Sequence, residues 1–193
     1  MPESKPETQP DQMQDSTTEQ LTADQQLQHV DTLIKMGQPE QDEWALSRIE
    51  EALPERRPVI VPLALWREQP GDRGLAPWLS SETEMTPELA AALEMAPLIA
   101  IDFPAFTDGR GYTLARLLRQ RHGYTGEIRA IGDVLVDQLY YMTRCGFDAL
   151  ALREDQHLED ALRALGAFSV SYQPAVDVGE ALFERRLREK GRT

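Results

Sequence analysis

The sequence predicts an α/β protein made of consecutive βα units around a mainly parallel sheet. Three observations predict it. Apolar runs recur at Leu98 to Asp102, Glu127 to Ile131 and Ala149 to Leu152. Each is followed by a polar turn and then an amphipathic stretch. Gly123, Gly146 and Gly166 end those stretches, and glycine is favoured just past a helix C-terminus. Strands joined through helices run parallel with right-handed crossovers. Four or five such strands are too few for a closed eight-stranded barrel, so the sheet is expected to be open or half-barrel-like.

The elements follow in chain order. Met1 to about His29 is rich in Gln, Glu, Asp, Thr and Pro and almost free of large apolar residues, so residues 1–30 are predicted to be a disordered acidic tail. A weak helix is allowed around Thr22 to Val30. Between Thr32 and Ser47, Leu33 to Met36 and Trp44 to Leu46 suggest a small β-hairpin. Val59 to Leu63 reads as a strand. Trp66 to Glu84 carries Pro70, Gly71, Gly74 and Pro77 and reads as loop. Thr86-Pro87-Glu88 opens a helix that Pro97 ends, with Thr as N-cap and Pro at the first position. Helices are predicted over Gly111 to His122, Val134 to Cys145 and Gln156 to Leu165. Phe168 to Tyr172 alternates as a last strand, and Ala175 to Lys190 is a final helix. The chain thus divides into the tail (1–30), one α/β domain (31–174) and a C-terminal helix (175–193).

Composition narrows the function. A formal net charge of -13 over 193 residues disfavours nucleic acid, whose phosphates require a basic surface, and disfavours anionic membranes. No run approaches the length of a membrane-spanning helix, and no secretory signal opens the chain. A cytoplasmic location is expected. The single Cys145 forms no internal disulfide, and His29, His122 and His157 fall in no metal-ligand spacing. No dinucleotide fingerprint follows the first strand. No cofactor and no metal are therefore expected.

In parallel α/β folds, sites form at the carboxyl ends of strands. That rule gathers Asp102, Asp108, Arg110, Asp133, Arg153, Glu154 and Asp155 on one edge, with Asp137 one turn further. The anion- or substrate-binding candidates are Asp108, Gly109, Arg110, Gly111, Tyr112, Arg116, Gly132, Asp133 and Asp137. Arg110 and Arg116 have the fork that matches oxyanions. Gly109 and Gly111 would let backbone N–H groups approach one. Asp108 and Asp133 suit acid–base work or a divalent cation. A second reading needs no chemistry: each aspartate caps the helix it precedes, and Arg110 pairs with one of them. Cys145 sits at a helix C-terminus, where the dipole raises a thiol pKa, and reads as a core thiol.

Three runs carry a family resemblance: Phe103 to Tyr112 with Ala115 to Arg119, Gly126 to Leu135 with Asp137 to Leu139, and Arg144 to Ala149. On these the chain resembles the bacterial domain-of-unknown-function family 934, over about Leu33 to Gln173. Members are labelled probable oxidoreductases of sulfite reduction, because their genes lie beside those of assimilatory sulfite reductase and adenylyl-sulfate reductases. The resemblance implies a pathway and no reaction, for the family brings no catalytic residues.

Three functions follow as expectations. The leading one is an accessory protein of assimilatory sulfate and sulfite reduction in cysteine biosynthesis, acting with the sulfite reductase haemoprotein. The second is a small enzyme that binds an anionic sulfur-containing or phosphorylated substrate at the strand ends. The third is a structural half-barrel completed by a second copy of itself, a homodimer.

Overall fold

The computed structural model describes residues 23–28 and 32–190. The tail before residue 23 lies outside the described residues. Eight strands form one sheet in the spatial order β2-β1-β8-β7-β6-β5-β4-β3. They are β1 Leu33–Lys35, β2 Gln38–Glu40, β3 Ala45–Leu46, β4 Val59–Pro62, β5 Leu75–Leu79, β6 Leu98–Phe103, β7 Glu127–Gly132 and β8 Ala149–Ala151. The six strands from β3 to β8 are parallel and lie in sequence order. β1 runs antiparallel to both β8 and β2. The α/β class with a mainly parallel, half-barrel-like sheet is therefore correct.

Strand order that never reverses puts right-handed crossovers on one face. The helices are α1 Leu63–Glu68, α2 Pro87–Leu93, α3 Arg110–Arg116, α4 Leu139–Cys145, α5 Leu158–Leu165 and α6 Leu182–Lys190. Thr86 caps α2, its hydroxyl accepting from the Leu89 N–H at 3.2 Å. A π-turn over Leu117–Arg121 extends α3. Gly146 ends α4 in the left-handed region at φ 105°. The period of two along each strand separates two apolar layers. Ile99, Ile101 and Phe103 pack with the helices, whereas Leu98 and Ala100 face the other side with Ile60, Ala76, Ile131 and Ala149.

The chain itself shows that the sheet curls. Glu40 ends β2 and Ala45 opens β3, five residues that reach at most about 18 Å. In a flat sheet these two outer strands would stand about 34 Å apart. Gln28 pairs with Leu46 beside β3, and the Leu152 N–H donates to the Thr32 carbonyl beyond β8. Four residues thus also link the two sides. The inner face becomes an interior, as in a barrel. Its amino-terminal end is plugged by Asp42, whose carboxylate takes Arg129 Nη1 at 2.7 and 2.8 Å with both side chains buried. Glu127 pairs with Arg129 at 2.8 Å and with Lys35 at 2.9 Å. The carboxyl-terminal end remains open.

Several expectations are corrected. The hairpin exists, but its second strand is Gln38–Glu40, reached through a two-residue turn with positive φ at Met36 and Gly37, the geometry of the primed turns. Trp44 to Leu46 instead supplies β3 on the far side of the sheet. The stretch Trp66 to Glu84 is not loop alone: it holds the end of α1 and all of β5. Pro77 is tolerated there because β5 pairs with β6 only from Trp78 onward. Phe168 to Tyr172 forms no strand, since β1 already occupies the free edge of β8. The last helix begins at Leu182 rather than Ala175, and the helix expected from Val134 begins at Leu139 after a 3-10 turn. One chain supplies eight strands, not four or five.

Candidate functional site

The turns after β5, β6, β7 and β8 are each tied to the next by a charged or polar side chain. After β5, the Ser81 hydroxyl donates to Asp108 Oδ2 at 2.7 Å, and Glu82 pairs with Arg110 at 3.0 Å. Asp108 and Arg110, in the turn after β6, form a fork, with Nε on Oδ1 at 2.9 Å and Nη2 on Oδ2 at 2.7 Å. The same turn reaches the next: the Phe106 N–H donates to Asp133 Oδ2 at 2.7 Å, and Gln138 Nε2 donates to the Phe106 carbonyl at 2.7 Å. After β8, Arg153 pairs with Asp133 and forks onto Asp155 at 2.6 and 2.7 Å. The result is a belt of polar bonds around the rim.

The belt explains the candidate residues one by one. Asp108 covers the first helical N–H, that of Arg110 at 3.1 Å, so the capping expectation holds for it in part. The Arg110 guanidinium, then the Ser81 hydroxyl, holds its carboxyl well below the usual carboxylate range. Arg110 answers to two carboxylates and has no surplus charge for an anion. Gly111 is buried, and a Cβ there would lie 2.7 Å from the Phe103 ring. The glycine at 109 meets no such limit; its nearest neighbour would be Tyr112 at 3.8 Å. The Tyr112 ring packs between Phe103 and Tyr141, and burial pushes its phenol up to about 12.

Asp133 does not cap a helix at Val134, because no helix starts there; it joins the β6 and β8 turns instead. Gly132 turns the chain at φ 89°, where a Cβ would stand 2.5 Å from the Phe103 carbonyl. Arg116 lies down the outer surface of α3, bordering a shallow groove with Thr113 and Gln120. It does not join the rim. Asp137 is exposed in the 3-10 turn and makes no bond among the described residues. Asp108 and Asp133 engage different arginines rather than each other. Cys145 is buried, and it is burial that raises its thiol pKa.

The rim encloses the open end of the barrel, a mouth of about 380 Å³. Arg48, Arg153, Glu154, Gln28 and Thr32 supply its polar lining, and Leu46, Ile131 and Leu152 contribute apolar wall. Arg48 Nη2 donates to Asp102 Oδ1 at 2.8 Å, and its guanidinium lies 5.8 Å from the centre of the Trp78 ring. Trp78 is itself fixed by its Nε1 donating to the Ser47 carbonyl at 3.0 Å. Arg48 is absent from the candidates read from sequence, because the misassigned hairpin put it far from the strand ends. The usable signal is Ser47-Arg48 just past a buried apolar pair.

Among the described residues, no helix is long and apolar enough to cross a membrane. No curated protein and no solved structure gives a match. The family described as bacterial protein of unknown function (DUF934) matches residues 77–183. That span runs from β5 through all the later strands into α6, and it holds the belt from Ser81 to Asp155. The chain is therefore a member of the DUF934 family.

Proposed function

We propose that the protein is a non-catalytic accessory factor of assimilatory sulfate and sulfite reduction, working with the sulfite reductase haemoprotein in the cytoplasmic supply of sulfur for cysteine. The observation that supports a non-catalytic role is the belt. Asp108, Arg110, Asp133 and Arg153 satisfy one another across successive turns. A general acid or base needs a pKa near the working pH and a reachable proton. Asp108 and Asp155 are instead pinned as carboxylates by their arginines. An anionic substrate would find Arg110 and Arg153 already neutralised, so the enzyme reading is the weaker one. The pathway itself rests on the resemblance carried by the three sequence runs.

Deletion of the gene should slow growth with sulfate as sole sulfur source and leave growth on cysteine unchanged. The tagged protein should retain the sulfite reductase haemoprotein on an affinity column. Normal growth on sulfate together with no retained haemoprotein contradicts the proposal.

A further inference from the structure

We infer that the mouth of the barrel binds a small zwitterion of the α-amino-acid type, its carboxylate on Arg48 and its ammonium on Glu154. The inference does not rest on the pathway proposed above. The mouth lies at the carboxyl ends of parallel strands, where such folds place ligands. Its volume of about 380 Å³ falls within the usual range for small-molecule pockets.

The charges select the ligand. The lining carries two guanidiniums, Arg48 and Arg153, and one carboxylate, Glu154, and the guanidiniums are already paired with three carboxylates outside the lining, Asp102, Asp133 and Asp155. The surroundings are acidic on balance, so a bare oxyanion such as sulfate or phosphate meets net repulsion. A simple cation meets the two guanidiniums. A molecule with both signs close together satisfies the lining.

The individual groups have the capacity. Arg48 uses Nη2 on a single carboxylate oxygen, Asp102 Oδ1. Its fork has donors to spare for a second carboxylate. The Trp78 ring lies beneath that guanidinium, 5.8 Å from its carbon to the ring centre, a cation–π contact that helps to hold it in place. Glu154 lines the same cavity without a partner among the described residues. Gln28 and Thr32 add neutral polar groups at the margin, and Leu46, Ile131 and Leu152 give an aliphatic side chain a wall.

The test is a thermal-shift and calorimetric titration of the full-length protein with each standard α-amino acid, and with sulfite, sulfate and phosphate. A ligand far above its Kd raises Tm by mass action. At least one amino acid should raise Tm and give one-site binding, while its N-acetyl and its amide derivative should not. Arg48→Gln and Glu154→Gln should each weaken that binding by about tenfold or more, the cost of one charged hydrogen bond. Glu154 is exposed, so its variant folds even if Arg48→Gln does not. The inference is overturned if no amino acid binds, if the inorganic anions bind and the amino acids do not, or if Glu154→Gln binds like the wild type. None of these outcomes bears on the growth and affinity experiments above.

Discussion

Arg48 and Asp102 meet at 2.8 Å across the mouth of the barrel although 54 residues separate them. One belongs to the turn after β3 and the other to the inner face of β6. Their ion pair spans the open end, as Asp42 and Arg129 span the closed one. Asp102 is mostly buried and Arg48 is about one-third exposed. Solvent therefore screens the pair in part. Arg48→Gln should cost about 1–2 kcal/mol in urea unfolding, mainly because Asp102 is left without its partner. In a double-mutant cycle with Asp102→Asn, the second substitution should cost less than it does alone. Strict additivity would show that the two do not interact in solution.

The plug at the other end should matter more. Asp42 and Arg129 are both almost inaccessible, so Asp42→Ala leaves a buried guanidinium with only Glu127. A loss of about 3 kcal/mol is expected by denaturant titration. Replacing both partners together, Asp42→Leu with Arg129→Met, should recover much of it, because the uncompensated charge is gone. A double variant as unstable as the single one would contradict this.

Two glycines should respond differently to alanine. At Gly132 the added methyl would press on the Phe103 carbonyl at 2.5 Å and would also sit at φ 89°. At Gly37 the φ is 75° with open space around it. Gly37→Ala should cost about 1 kcal/mol from backbone conformation alone. Gly132→Ala should cost clearly more, since a backbone atom must move. Equal melting temperatures for the two variants would mean that the β6 and β7 turns are not packed this way.

The belt should leave a mark on acid stability. Asp155 is lowered to about 2, first by Arg153 and then by Gln156, and Asp108 is lowered further, first by Arg110 and then by Ser81. Both folded values lie below the unfolded carboxylate value near 3.9. Their stabilisation is therefore complete above about pH 4 and is lost as pH falls toward 2 and below. Arg110→Ala and Arg153→Ala should each flatten the fall of Tm across that window. An unchanged slope in both would mean that these pairs do not hold in solution.

The repeat from Leu98 to Gly166 was readable in the sequence because its punctuation is local. Apolar runs, acidic turns and terminal glycines lie within a few residues of one another. The amino-terminal half was harder, since its strands are placed by distant partners. Trp44 to Leu46 looks like the return strand of Leu33 to Met36, but β4 claims it from fourteen residues away. Pro77 and the glycines around it disguise β5. The alternation from Phe168 to Tyr172 is real, but β1 has taken the free edge of β8, and Phe168 and Tyr172 remain exposed. The rim residues Asp108, Arg110 and Asp133 were correctly placed at strand ends. That they would bind one another, and that Arg48 would enter the mouth, depends on the curl of the sheet and on no local pattern.

Our proposal is that these rim charges hold turns together and carry no chemistry. It is tested most directly by growth of a deletion strain on sulfate, rescued by the chain carrying Asp108→Asn, Arg110→Ala and Asp133→Asn together, at matched levels of soluble protein. The account predicts growth equal to that given by the wild-type chain. Failure of the triple variant to restore growth, while folded and present at the wild-type level, would contradict it.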